Sequence, residues 1–154
     1  MIRTLRAVLT ALLIAVGLSA VGVAAPAQAA YANCNGTSYA YNNKSTSSSK
    51  VRALLPALNG NTNNYCELGS WLGGTYNSGT QALQRALNAC YSQGLVADGY
   101  YGPKTVAAVK RVQAAIGVRA DGGYGPVTKR AMNWPMYADG RGYGCVSGMY
   151  LNDA

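Results

Sequence analysis

The spacing of apolar positions changes twice along the chain. Residues 7–25 form a nearly continuous apolar run. Between 31 and 78 the apolar residues come in short groups separated by Asn, Ser, Thr and Gly. Alternation at 37–41 predicts a short strand there and a second extended piece near 51–55. The Ser-rich stretch 44–50 would be the loop between them, and Pro56 would limit further pairing. Helix is the rival reading for VRALLPAL (51–58). From Thr80 the period becomes helical. Leu83, Leu87 and Cys90 fall at i, i+4 and i+7 within good helix formers, which predicts a helix from about Gln81 to Tyr91, broken by Gly94. Val106, Val109, Val112 and Ile116 share one helical face with Lys104 and Arg111 opposite, so a second helix is expected to end at Gly117. A third runs from Pro126 to about Asn133, stopped by Trp134-Pro135, and the Gly-rich tail beyond reads as irregular.

Two nearly identical octets punctuate these helices: DGYYGPKT (98–105) and DGGYGPVT (121–128). In each, the Asp side chain can bond nearby backbone amides and the next Gly tolerates positive φ. A Gly-Pro step then opens a helix with Pro at its first position. Asp98, Gly99 and Gly102, and likewise Asp121, Gly122 and Gly125, are therefore turn residues first. Each octet follows a helical segment that contains a Gln, LQRAL (83–87) and VQAAI (112–116). The unit is helix, turn, helix, used twice with the middle helix shared.

Composition adds the setting. Arg3 and Arg6 before the apolar run, and Ala27-Gln28-Ala29 after it, read as a signal peptide cleaved after Ala29, with a retained anchor as the competitor. The chain has 13 Lys and Arg against 5 acids; without Arg3 and Arg6 the basic count falls to eleven, still an excess that favours anionic partners. All four cysteines, Cys34, Cys66, Cys90 and Cys145, lie beyond the cleavage site, where an even count argues for two disulfides. Three connectivities are open. Cys34 with Cys66 and Cys90 with Cys145 is favoured, because the first closes the amino-terminal extension and the second ties the tail to the centre. With no histidine and no Cys-x-x-Cys pair, a metal site is not expected.

The stretches ALQRALN (82–88), DGYYGPKTVAAVKRVQ (98–113) and GVRADGGYGPVTKRAM (117–132) together resemble the peptidoglycan-binding domain of the PG_binding_1 type. The resemblance covers slightly more than fifty residues, under half of the mature chain. It implies a compact three-helix fold and noncovalent attachment to bacterial cell wall. Flanks and cysteines are also similar to secreted single-domain members from Gram-positive bacteria. Tyr101 and Tyr124 stand where Phe is common in the family, Gly123 replaces an apolar residue, and Cys90 an aliphatic one.

The expected fold is mainly α: a signal peptide at 1–29, a partly extended, disulfide-tied N-terminal segment at 30–79, a three-helix domain at 80–133 and a tied tail at 134–154. Sugar rings present CH faces, and stem peptides present amides and carboxylates, so a wall-binding site needs a flat apolar surface and a few polar groups. Tyr100, Tyr124, Lys104 and Arg119 are the candidate ligand-binding residues, although Tyr101 and Tyr124 also read as core plugs. Catalysis is not expected. Absence of histidine removes the Ser-His-Asp and Cys-His arrangements, and a two-carboxylate hydrolase would have to draw on Glu67 with Asp98, Asp121 or Asp139. No phosphate-cradling motif is present. The expectation is a secreted, extracellular or wall-associated monomer that binds peptidoglycan or another wall polymer, with no cofactor, nucleic acid or membrane partner. The alternatives are a disulfide-stabilised interaction or inhibitor protein and a minimal wall hydrolase.

Overall fold

The computed structural model describes residues 31–42, 51–58 and 64–152. The expected signal peptide and the Ser-rich loop at 44–50 lie outside the described residues.

Three helices form where the apolar period requires them. α1 spans Ser78–Tyr91, α2 spans Pro103–Ala115 and α3 spans Pro126–Ala131. α1 begins three residues earlier than its apolar pattern, because Asn77 caps it: the Asn77 side chain accepts from the Thr80 amide at 3.1 Å. It ends at Tyr91, with Ser92 in the left-handed region at φ 54°. Both Gly-Pro steps place Pro at the start of a helix. α2 stops before Gly117, whose φ is +73°.

The expectation of a mainly α protein is overturned by a five-stranded antiparallel sheet. Its strands are β1 (Gly36–Asn42), β2 (Arg52–Ala57), β3 (Asn133–Ala138), β4 (Arg141–Ser147) and β5 (Leu151–Asn152), in the order β4-β3-β2-β1-β5. The tail read as irregular supplies three of them. β2 runs through Pro56, which lies opposite Thr37 on β1. A strand accepts proline where its nitrogen is outside the ladder, and β2 meets β3 at its other end, at Arg52↔Tyr137. The third helix stops at Ala131, so Asn133 opens a strand instead of closing a helix.

Sheet and helices share one core. Ala53, Leu55 and Ala57 alternate into it from β2, as do Met132, just before β3, and Trp134 and Met136 within it. They meet Leu83 and Leu87 of α1 and Val109 and Val112 of α2. Two disulfides close the chain, Cys34–Cys66 and Cys90–Cys145, the pairing favoured from the sequence. The second joins the end of α1 to β4, and the Asn133 amide donates to the Tyr91 hydroxyl nearby at 2.6 Å. No helix among the described residues is long and apolar enough to cross a membrane.

Candidate functional site

The two octets are built alike, each around one buried glutamine. In the first, the Gln84 side-chain amide donates to Asp98 Oδ1 at 2.9 Å, to the Tyr100 carbonyl at 3.1 Å and to Thr105 Oγ1 at 3.1 Å. Its Oε1 accepts from the Gly99 amide at 2.9 Å. In the second, the Gln113 amide donates to Asp121 Oδ1 at 2.9 Å, to the Gly123 carbonyl at 2.8 Å and to Thr128 Oγ1 at 3.1 Å. Its Oε1 accepts from the Gly122 amide at 2.8 Å. Asp98 and Asp121 each also accept the amide two residues on, from Tyr100 and Gly123. Gly99 and Gly122 both have φ +81°, a conformation in which a side chain is strained.

The octets are also joined. The Tyr101 hydroxyl, at the heart of the first, donates to the Gly122 carbonyl of the second at 2.9 Å. Burial, with the negative charge of Asp121 second, pushes that hydroxyl far above the ordinary tyrosine range, so it remains a donor. Tyr124 packs edge-on against Trp134 with ring centroids 5.9 Å apart. Both tyrosines are buried among the core residues.

Asp98 titrates below the ordinary carboxylate range, because the Tyr100 amide, and then the Gln84 side chain, bond its charged form. A carboxylate depressed in the folded state adds stability above its unfolded pKa and loses it as pH falls through the folded value. Thermal melts should therefore show wild type more stable than Asp98→Asn at pH 7, with the gap closing below about pH 4. A gap unchanged down to pH 2 would remove Asp98 from the account.

Beside the second octet the chain forms a cleft of about 530 Å³. Its construction begins with the Cys34–Cys66 disulfide, which holds residues 32–34 against 66–68. The Cys34 amide donates to the Glu67 carbonyl at 2.9 Å, and the Glu67 amide to the Ala32 carbonyl at 3.0 Å. Leu68 then exchanges both backbone bonds with Tyr124, at 2.9 and 2.8 Å. The extension is thereby zipped to the octet, and a short 3-10 turn, Ser70–Leu72, carries Trp71 over the cleft. Tyr31, Glu67 and Trp71 from the extension face Asp121, Pro126 and Val127 from the octet and α3.

The four candidate ligand residues do not converge. Tyr100 is 44% exposed, stands edge-on to Tyr76 and lines a shallower hollow with Pro103, Val106 and Lys110. Tyr124 is 1% exposed, so its ring belongs to the core, and it borders the cleft at the second octet from beneath. Lys104 and Arg119 are exposed but line neither hollow. The turn residues Asp98, Gly99, Gly102, Asp121, Gly122 and Gly125 lie in the bends that open α2 and α3. Sequence reasoning missed Trp71 and the bonding role of Gln84 and Gln113. Gln84 and Gln113 carry a signal, since a Gln recurs in the helix before each octet. Trp71 is a lone large aromatic in the polar, Gly-rich stretch LGSWLGG. Among the described residues there is no group of three or more His, Cys, Asp or Glu able to hold a metal ion.

Residues 76–132 match a family model described as "Putative peptidoglycan binding domain". No curated protein and no solved structure matches the chain. The match takes in both octets, both glutamines and all three helices, while all five strands and the 3-10 turn at Ser70–Leu72 lie outside it. Through residues 76–132, 57 of its 154 residues, the chain is similar to the peptidoglycan-binding domain family of the PG_binding_1 type.

Proposed function

We propose that the chain is a secreted, non-catalytic protein that holds to the bacterial cell wall by binding peptidoglycan. The observation that carries this reading is the pair of octets, each closed around a buried glutamine and joined through Tyr101, within the family-matched segment. The open cleft at the second octet gives such a module a place to meet wall polymer. Two disulfides support export, because such bridges persist in oxidising compartments.

The test is sedimentation with purified insoluble peptidoglycan. The mature protein should pellet with the sacculi and stay there through washes at about 0.2 M salt, where screening leaves little attraction between exposed charges. Release at that salt would reduce the binding to charge attraction and overturn the reading. The same tubes address a second reading, which one observation favours: Glu67 and Asp121 line one cleft, as a two-carboxylate hydrolase would require. Asp121 Oδ1, however, already takes the Gly123 amide and the Gln113 side chain. No soluble fragments should appear; fragments that vanish with Glu67→Gln would establish the hydrolase instead.

A further inference from the structure

We infer that Trp71 is the platform on which a sugar ring of the glycan strand stacks, so that the N-terminal extension, outside the family-matched segment, supplies the glycan-contacting aromatic. The inference rests on the peptidoglycan-binding reading above and narrows it to one wall element.

Trp71 is 58% exposed, although burial of so large an apolar side chain is strongly favourable. It is nonetheless held in place. Its Nε1 donates to Asn33 Oδ1 at 2.8 Å, and Asn33 is fixed by the adjacent Cys34–Cys66 bridge. Its ring lies against Gly69 so closely that a Cβ there would come within 2.1 to 2.5 Å of three ring carbons. The outer edge of the ring comes 3.6 Å from the place a Cβ on Gly123 would take. The indole is thus backed by bare backbone and turned over the cleft. A ring already fixed loses little freedom when a ligand arrives.

Charge decides what that ligand is. The chain carries 13 basic residues against 5 acidic ones, yet the cleft is lined by Glu67 and Asp121 and by no Lys or Arg. Stem peptides carry carboxylates, which two like charges repel. A pyranose ring offers its CH face to an indole and its hydroxyls as donors to carboxylate oxygens. Sugar therefore fits the cleft on both counts, whereas a stem peptide would bring its carboxylates against Glu67 and Asp121.

The protein has two tryptophans, and Trp134 is fully buried, so an external quencher reads Trp71. A neutral β-1,4-linked N-acetylglucosamine oligomer should shield wild-type fluorescence from acrylamide and shift emission to the blue, while isolated stem peptide should do neither. Trp71→Ala should weaken binding to sacculi at least about tenfold. Asn33→Leu, which keeps the indole but frees it, should weaken binding several-fold; it also serves if the alanine variant does not fold. Wild-type retention of sacculi with no loss in folded Trp71→Ala would overturn the platform and leave the peptidoglycan reading standing. Shielding by stem peptide but not by the sugar oligomer would also overturn it. Failure of wild type to sediment with sacculi at all would remove the underlying reading, and the platform with it.

Discussion

Gln113→Leu is expected to lower the free energy of unfolding by about 3 kcal/mol, and Gln84→Leu by a similar amount. Leucine is close to glutamine in size and suits a helix, so packing and propensity change little. What changes is the accounting of polar groups in a place water reaches poorly. Gln113 and Gln84 are each 1% exposed. Leucine at 113 strands the Gly122 amide, the Gly123 carbonyl and the Thr128 hydroxyl. Each buried group left without a partner costs about 1 to 3 kcal/mol, and the half-buried Gly123 recovers part of its loss from solvent. Urea unfolding would show the midpoint falling by at least about 1 M at a slope typical of a small domain. The equality of the two variants is the sharper part of the expectation. If one cost 3 kcal/mol and the other nothing, the octets would not be equivalent building blocks, whatever their spelling.

These glutamines also mark the limit of what the sequence displays. The helices were legible because their signals are local: an apolar face every three or four residues, and a Gly-Pro step at two of the three starts. The recurrence of the glutamines was visible but their role was not, because a Gln between Leu83 and Arg85 reads as helix surface, and its partners lie 14 to 21 positions onward. The sheet was illegible for a related reason. β2 pairs with β3 and β1 with β5 across most of the described chain, and no window of ten residues contains both partners. Met132, Trp134, Met136 and Ala138 do alternate into the core, but Pro135 among them reads as a stop. β4 lies at a sheet edge with most of its residues exposed and two of them glycine, so it has no apolar alternation to show. The core reading of Tyr124 was open from the sequence, but the partner that buries it was not, since Trp134 stands in the tail read as irregular. The cleft depends on the same nonlocal contacts. Its indole is fixed by Asn33, 38 residues away, and no spacing rule links the two.

The second large effect concerns the disulfides, which differ in access more than in strength. Removing either bridge is expected to cost about 4 kcal/mol by loop entropy, since separations of 32 and 55 residues differ little on a logarithmic scale. Reduction should nevertheless be ordered. Cys34 and Cys66 are fully buried, whereas Cys145 is exposed on the edge strand β4. Thiol attack needs approach to a sulfur, so dithiothreitol under native conditions should open Cys90–Cys145 first. The one-bridge species should keep its core and lose the tether of β4, which pairs with β3 alone in the sheet order. Because Cys34–Cys66 holds Asn33 beside Glu67, and through Asn33 holds Trp71, that species should still sediment with sacculi. Binding should fall only when the second bridge opens. Alkylation and mass measurement along the reduction, with sedimentation at each point, would follow both events. Opening of Cys34–Cys66 first, or loss of binding with Cys90–Cys145 alone, would show that the cleft is held together from the tail and not from the extension.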